Sequence, residues 1–132
     1  MTIEPGVSIG PVRSGMKQQD VVAVLGEPNN KKDGVLEYRD LGITLLPGKG
    51  GFLETVIFFG GVEPFKSFEG HTKEGVGIGW SRAEIIKAYG EPTTIEHGRG
   101  VPERSILVYK TRGVSFHIQE NKVCKMAVFL KP

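Results

Sequence analysis

The chain has 132 residues, of which 39% are hydrophobic and 24% are charged, and these fractions are typical of a soluble globular domain. Seventeen basic and fifteen acidic side chains leave a formal net charge of +2, which is too small to predict a nucleic-acid or membrane surface. The single cysteine, Cys124, excludes an internal disulfide and a multi-cysteine zinc site.

The first ten residues, MTIEPGVSIG, show neither the basic region nor the apolar region of a secretory signal. No stretch approaches the roughly 20 apolar residues that a membrane-spanning helix needs. The sequence as written therefore predicts no transmembrane segment and a cytoplasmic location. A location in the cell envelope or outside the cell is the alternative, if a leader originally preceded the first residue.

The tripeptide Gly-Glu-Pro occurs at residues 26–28 and again at residues 90–92, and similar residues surround both copies. Aligning the two copies places LEY at 36–38 over LVY at 107–109, and GITL at 42–45 over GVSF at 113–116. A unit that occurs twice indicates two supersecondary units sharing one core, because a solenoid needs about three or more.

Each copy is predicted to begin with a short helix. In the second copy, Ser81 and Glu84 have the spacing of a capping box, which fixes the helix start. Both helices are predicted to end at the glycine of Gly-Glu-Pro, which tolerates a positive φ, and the proline prevents the helix from resuming. Glu27 and Glu91 are predicted to be solvated loop residues, because nothing in the sequence builds the shared cleft that paired catalytic acids require.

Strands follow each helix, since the next segments are rich in β-branched and aromatic residues and are separated by turn residues. The predicted segments are LEYRD, GITLL and FLETVIFF in the first copy, and SILVYK, GVSFHI and KVCKMAVF in the second. The predicted fold class is therefore α+β, with two tandem repeats, each a helix plus a three-stranded antiparallel meander, in one pseudo-symmetric domain spanning 1–132. Repeat one covers about 6–59, the connector 60–73 and repeat two 74–130.

The residues of both copies resemble a known bacterial module. The pattern GMKQQDVVAVLGEP, followed by a strand with a tyrosine and a strand that starts with glycine, is similar to the BamE/SmpA-type outer-membrane assembly lipoproteins, and GIGWSRAEII through GEP is more similar still. A tandem pair of such units resembles the β-lactamase inhibitory protein in layout. This resemblance implies a non-catalytic protein that binds another protein, with an inhibitor, immunity or envelope-assembly role.

Chemical motifs give little support for catalysis. LPGKGGF at 46–52 lacks the spacing of a phosphate loop and lies between two strands, which favours a hairpin tip. His71, His97 and His117 have no metal-ligand spacing, and Cys124 lies within a predicted strand. No metal or cofactor is predicted. The positive charge of the basic residues near the second long loop is partly offset by Glu96 and Glu103, and no aromatic stacking platform accompanies them. Nucleic-acid binding is therefore not predicted either.

Protein binding is the predicted function, because tyrosine, tryptophan and arginine dominate binding hot spots. The surface is expected to combine a sheet face with the loops 31–34, 48–51 and 97–102. The candidate binding residues are Tyr38, Lys49, Trp80, Arg99, Arg104 and Tyr109. For Trp80 a core position at the helix entry is favoured, and for the two tyrosines core and surface are equally open. The alternative function is a small enzyme or ligand-binding domain with a site between the repeats, in which His117, Cys124 and either Glu54 or Tyr109 converge.

Overall fold

The computed structural model describes residues 1–97 and 104–130, and β-structure predominates, with 45% of residues in strands and 18% in helices. The two α-helices are α1 (Gln18–Leu25) and α2 (Arg82–Tyr89), and short 3-10 helices occupy Lys49–Gly51 and Lys110–Arg112. The strands are β1 (Thr2–Glu4), β2 (Ser8–Ile9), β3 (Val12–Arg13), β4 (Asn30–Lys32), β5 (Val35–Tyr38), β6 (Ile43–Pro47), β7 (Leu53–Phe59), β8 (His71–Thr72), β9 (Thr94–His97), β10 (Ser105–Tyr109), β11 (Val114–Gln119) and β12 (Lys122–Phe129).

The strands form two sheets. The larger has eight strands in the order β4-β5-β6-β7-β12-β11-β10-β9, and every neighbouring pair is antiparallel. Pairing of β7 with β12, with Val56 opposite Val128, joins the strands that follow α1 to the strands that follow α2. The smaller sheet has the order β3-β2-β1-β8, and its β1–β8 pair is parallel.

The predicted fold class, α+β with two tandem helix-plus-three-stranded-meander repeats, is wrong. The protein is mostly sheet, and its strands belong to one eight-stranded and one four-stranded sheet. Two kinds of strand were not predicted from the sequence. The edge strands β4 and β9 carry polar and exposed residues, so they lack the apolar pattern on which strand prediction depends. The strands of the small sheet are only two or three residues long, too short to show a period.

Local interactions explain where both helices begin. At the start of α2 the Ser81 hydroxyl accepts a hydrogen bond from the Glu84 amide (3.2 Å), and the Glu84 carboxylate accepts one from the Ser81 amide (3.0 Å). These hydrogen bonds lower the pKa of Glu84. The start of α1 has one half of this arrangement, in which the Asp20 carboxylate accepts from the Lys17 amide (3.0 Å), because a lysine side chain has no acceptor atom.

Both helices end at the Gly-Glu-Pro glycines, and a tyrosine of the large sheet holds each end. Gly26 and Gly90 adopt φ values of 86° and 81°, a region that favours glycine. The Tyr38 hydroxyl of β5 donates to the carbonyl of Gly26 at 2.8 Å, and the Tyr109 hydroxyl of β10 donates to the carbonyl of Gly90 at 2.8 Å. The end of each helix is therefore tied to the same face of the large sheet.

The hydrophobic core lies on that face. Side chains alternate along the strands, so Val56 and Phe58 of β7 are fully buried while their neighbours in sequence are half-exposed. Val21 of α1 and Ile85 of α2 belong to the same buried cluster, and so do the apolar residues of the small sheet. Phe68 of the connector, whose ring centroid lies 4.5 Å from that of Phe58, extends this cluster.

We predict that Tyr38→Phe and Tyr109→Phe each lower the free energy of unfolding by about 1 kcal/mol, because each removes one hydroxyl-to-carbonyl hydrogen bond and leaves the carbonyl without that donor. The two effects should add, since five strand spacings separate β5 from β10, roughly 24 Å. Urea denaturation of the two single variants and the double variant measures this. Ser67→Ala, at an exposed position, is the matched control. Single variants as stable as the wild type would contradict the prediction.

Candidate functional site

The second face of the eight-stranded sheet, opposite the core, is the candidate site, and we call it the free face. It is formed by the side chains that alternate with the core residues, such as Thr55, Ile57 and Phe59 on β7. These three side chains are half-exposed, whereas Val56 and Phe58 are fully buried. Because the helices and the small sheet pack on the core side, the large sheet presents this face outward.

A continuous row of side chains, which we call the central row, crosses the middle of the free face. Each member lies directly opposite the next in strand register, in the order Glu37, Thr44, Ile57, Ala127, Ser115 and Val108. Small side chains occupy three of these positions, and Thr44 and Ser115 are only 9% and 7% exposed. A larger side chain lies beside each of these two in the row, so little of their surface is exposed.

One corner of the free face is basic. Lys125 of β12 lies directly opposite His117 of β11, and the Arg104 guanidinium donates through Nη2 to Gln119 Oε1 at 3.1 Å. His117 and Gln119 are two residues apart on one strand, so their side chains share this face. We call Arg104, His117 and Lys125 the basic corner. Burial, the Lys125 ammonium and the Arg104 guanidinium together lower the pKa of His117 to about 4.

Aromatic side chains border the free face. Phe59 stacks on Phe65 of the connector, with ring centroids 4.3 Å apart, and the Lys125 ammonium lies 6.0 Å from the centre of the Phe59 ring. Phe129, at the other end of β12, is 45% exposed. The free face therefore has a small-residue centre and larger apolar side chains toward two of its ends.

A groove of about 740 Å³ opens where the β1–β2 turn meets the end of the large sheet. Pro5, Val7 and Phe129 supply apolar walls, and Lys110 and Arg112 supply positive charge. At its base the Glu74 carboxylate accepts hydrogen bonds from the Tyr89 hydroxyl (2.7 Å) and the Arg112 guanidinium (2.8 Å). The guanidinium carbon of Arg112 also lies 4.6 Å from the centre of the Tyr89 ring.

The candidate binding residues from the sequence lie in different environments. Tyr38 and Tyr109 are 5% and 3% exposed on the core face, so their side chains offer almost no surface to a partner. Trp80 is half-buried against the core just before α2. Lys49 is exposed at the tip of the β6–β7 hairpin, and Arg104 belongs to the basic corner. Arg99, together with most of the loop 97–102, lies outside the described residues.

The alternative catalytic set is spread over both faces of the sheet. The Cys124 thiol donates to the backbone carbonyl of His117 (3.5 Å), while the Nδ1 atom of the His117 ring has no hydrogen-bond partner among the described residues. Tyr109 lies on the core face, and Glu54 is exposed near the start of β7. His117 and Cys124 are therefore neighbours, but the thiol contacts the backbone of His117.

Sequence reasoning missed the members of the central row. Ile57 and Ala127 lie in segments correctly predicted as strands, LETVIFF and KVCKMAVF, and the alternation of those segments contains the signal for a second face. The strand sequences do not show which face of the sheet the helices cover, and that information was needed to identify the free face.

Within residues 1–97 and 104–130, no helix is long and apolar enough to cross a bilayer. In the same ranges, no three His, Cys, Asp or Glu residues cluster as metal ligands.

The architecture defines a β-rich protein with an eight-stranded antiparallel sheet covered on one face by two helices and a small sheet. Among solved structures it is similar to a DUF4309 family protein (YjgB) from Bacillus subtilis, with a TM-score of 0.62, 15% sequence identity, and coverage of 96% of this chain and 88% of that chain. At this identity the similarity shows a shared fold. No family model matches the sequence, and no curated protein matches it.

The resemblance to BamE/SmpA-type lipoproteins and to the β-lactamase inhibitory protein is wrong, because the structural neighbour is a DUF4309 protein and the fold is sheet-rich. The residues that suggested it have local roles here. Glycine, glutamate and proline at 26–28 and 90–92 end helices, and the tyrosines that follow donate to those helix ends. A helix stop of this kind occurs in many folds, so it does not identify any one of them.

We predict that the pKa of each of the protein's three tyrosines, Tyr38, Tyr89 and Tyr109, lies above its ordinary value of 10 while the chain is folded. Burial raises the pKa of all three, and Glu27, Glu74 and Glu91 add to the effect at Tyr38, Tyr89 and Tyr109 respectively. The resulting stabilisation is complete below the unfolded pKa of about 10 and is lost as the pH rises above it. Absorbance at the phenolate band should therefore rise together with the loss of tertiary circular dichroism. A phenolate transition centred near pH 10 in the folded protein would contradict this.

We predict that His117 stays neutral down to a pH near 4, well below its ordinary pKa of 6.5. A lowered folded pKa means that the stabilising contribution is complete above about pH 6.5 and is lost as the pH falls toward 4. NMR titration of the histidine ring carbons measures the pKa, with His117→Gln assigning the resonance. The same variant should show a weaker loss of stability between pH 6.5 and 4. A His117 midpoint close to 6.5 would show that burial and the cations do not act as described.

Proposed function

We propose that this protein is a non-catalytic module that binds another protein through its free face. The observation that carries the proposal is the central row, in which Ile57, Ala127 and Val108 place apolar surface in the middle of an outward-facing sheet. Glu37 ends the row on one side, and the charged or polar side chains of Lys125 and His117 lie beside it. A desolvated apolar centre within a polar rim is the usual anatomy of a protein–protein interface.

The dimensions of the sheet fit a protein partner. Eight strands span about 34 Å across the sheet, and five residues along each strand span about 17 Å, which gives roughly 600 Å². A standard interface buries about 800 Å² on each partner. The area of the free face is therefore of the same order as one side of a standard interface.

A protein suits this face better than a nucleic acid does. The middle of the face is built from small and aliphatic side chains such as Ala127 and Val108, and bases bind single-stranded sites by stacking on aromatic rings. The net charge of +2 also supplies little of the electrostatic attraction on which nucleic-acid affinity depends. Contact between this apolar row and a complementary protein surface accounts for binding without bond chemistry.

We predict that Ile57→Lys weakens partner binding by about a hundredfold or more, because it buries a charge at the centre of the interface. Ile57 is half-buried in the free protein, so urea denaturation is used first to show that the Ile57→Lys variant is folded. Val24→Lys, on a 44% exposed residue of α1, is the matched control on the helical side of the molecule. Partners are captured from a lysate of the encoding organism with all three baits, purified, and measured by titration calorimetry.

The three baits separate the outcomes. A stoichiometric protein that binds the wild type and Val24→Lys but not Ile57→Lys supports the proposal. A partner that binds all three equally places the interface elsewhere and overturns the free-face assignment.

Small-ligand binding is a second candidate function, favoured by the groove of about 740 Å³ beside Val7 and Phe129. A pocket of this volume with apolar walls and a few charged groups has the properties of a small-molecule site. Native mass spectrometry of the protein purified from its own organism tests this. A retained molecule that is lost in Val7→Lys and kept in Ile57→Lys would favour it, and the absence of any retained mass would count against it.

A further inference from the structure

We infer that the basic corner is a binding site for a carboxylate group carried by the partner protein, on an aspartate or glutamate side chain. This inference rests on the proposed function, because the basic corner forms one end of the free face.

The donors converge on one corner of the sheet. His117 and Lys125 are directly opposite in the β11–β12 register, and Arg104 reaches Gln119, two residues along β11 from His117. Arg104 and His117 are therefore diagonal neighbours on one face, roughly 7 Å apart at their Cβ atoms. Long side chains at that separation can contact the same small group.

Two polar atoms in this corner, Arg104 Nε and His117 Nδ1, are buried. Neither has a hydrogen-bond partner among the described residues. A guanidinium nitrogen can only donate, so Arg104 Nε requires an acceptor. Buried polar groups in folded proteins almost always have a partner, and an unsatisfied one requires an explanation. Both atoms are covered in the free protein, so a carboxylate reaches them once the side chains over them turn aside. It then accepts a hydrogen bond from each, with His117 Nδ1 carrying the proton.

The local charge favours an anion. Arg104, Lys125 and the neighbouring Lys122 form no ion pair within residues 1–97 and 104–130. Among residues 1–97 and 104–130, the nearest acidic positions in the register are Glu96, opposite Ile106, and Glu120 in the β11–β12 turn, and both are exposed. A planar carboxylate matches this set, because it accepts two hydrogen bonds from an arginine fork and a third from a lysine.

The test uses peptides as probes, so it does not depend on a known partner. Acetyl-Gly-Glu-Glu-Gly-amide is titrated into isotope-labelled protein, with acetyl-Gly-Gln-Gln-Gly-amide as the neutral control. The Arg104 Nε–H resonance and the His117 ring resonances should shift saturably with the acidic peptide alone. Arg104→Gln and Lys125→Gln should each weaken that binding about tenfold, and Arg13→Gln, at an exposed arginine of the small sheet, should leave it unchanged.

Other results overturn the inference. Equal shifts with the acidic and neutral peptides, or no saturable shift with either, would show that the corner does not bind carboxylates. Saturation by inorganic phosphate at concentrations at least tenfold lower than those of the acidic peptide would assign the corner to phosphate instead. Once a partner is in hand, binding that is lost in Ile57→Lys but unchanged in Arg104→Gln and Lys125→Gln would keep the free face as the interface and overturn the carboxylate site alone.

Discussion

The architecture depends on a tyrosine hydroxyl donated to the carbonyl of the glycine that ends a helix, a contact made twice. Tyr38 makes it to Gly26 and Tyr109 makes it to Gly90, each at 2.8 Å. Both tyrosines belong to the core face of one continuous sheet, so both helices are fixed on that side. The other side of the sheet is then left outward. An interaction that is purely structural in itself thus decides which face of the sheet stays uncovered.

Local features were predictable from the sequence because they depend on neighbouring residues. The Ser81–Glu84 capping box, the glycine at each helix end and the six long strands all follow from patterns within a few positions. Sheet membership depends on contacts between distant segments, and single-sequence patterns do not record them. Pairing of β7 with β12 and the parallel pairing of β1 with β8 join residues about 70 apart. The fold class was wrong for that reason.

The candidate site was less predictable than the fold. Tyrosines were chosen from the sequence because they are common in binding hot spots, but Tyr38 and Tyr109 lie in the core. The same strands place Glu37 and Val108 on the free face, immediately next to those tyrosines in the sequence. A shift of one position moves a side chain to the opposite face, so a prediction of function needed the orientation of each strand as well as its location. Arg104 was identified by its charge, and its place beside His117 depended on strand register.

Pairing of β7 with β12 also has a consequence for how the chain folds. Until β12 arrives, β7 is an edge strand whose Val56 and Phe58 present apolar surface beside unpaired amides and carbonyls. Closing this pair brings together segments separated by about 70 residues, and contacts of such sequence separation form slowly. During synthesis the first four strands of the large sheet are made before β12, and β7 stays an unpaired edge until β12 follows. An apolar edge of this kind is a template for pairing with another chain, so β7 is the segment most exposed to aggregation in that interval.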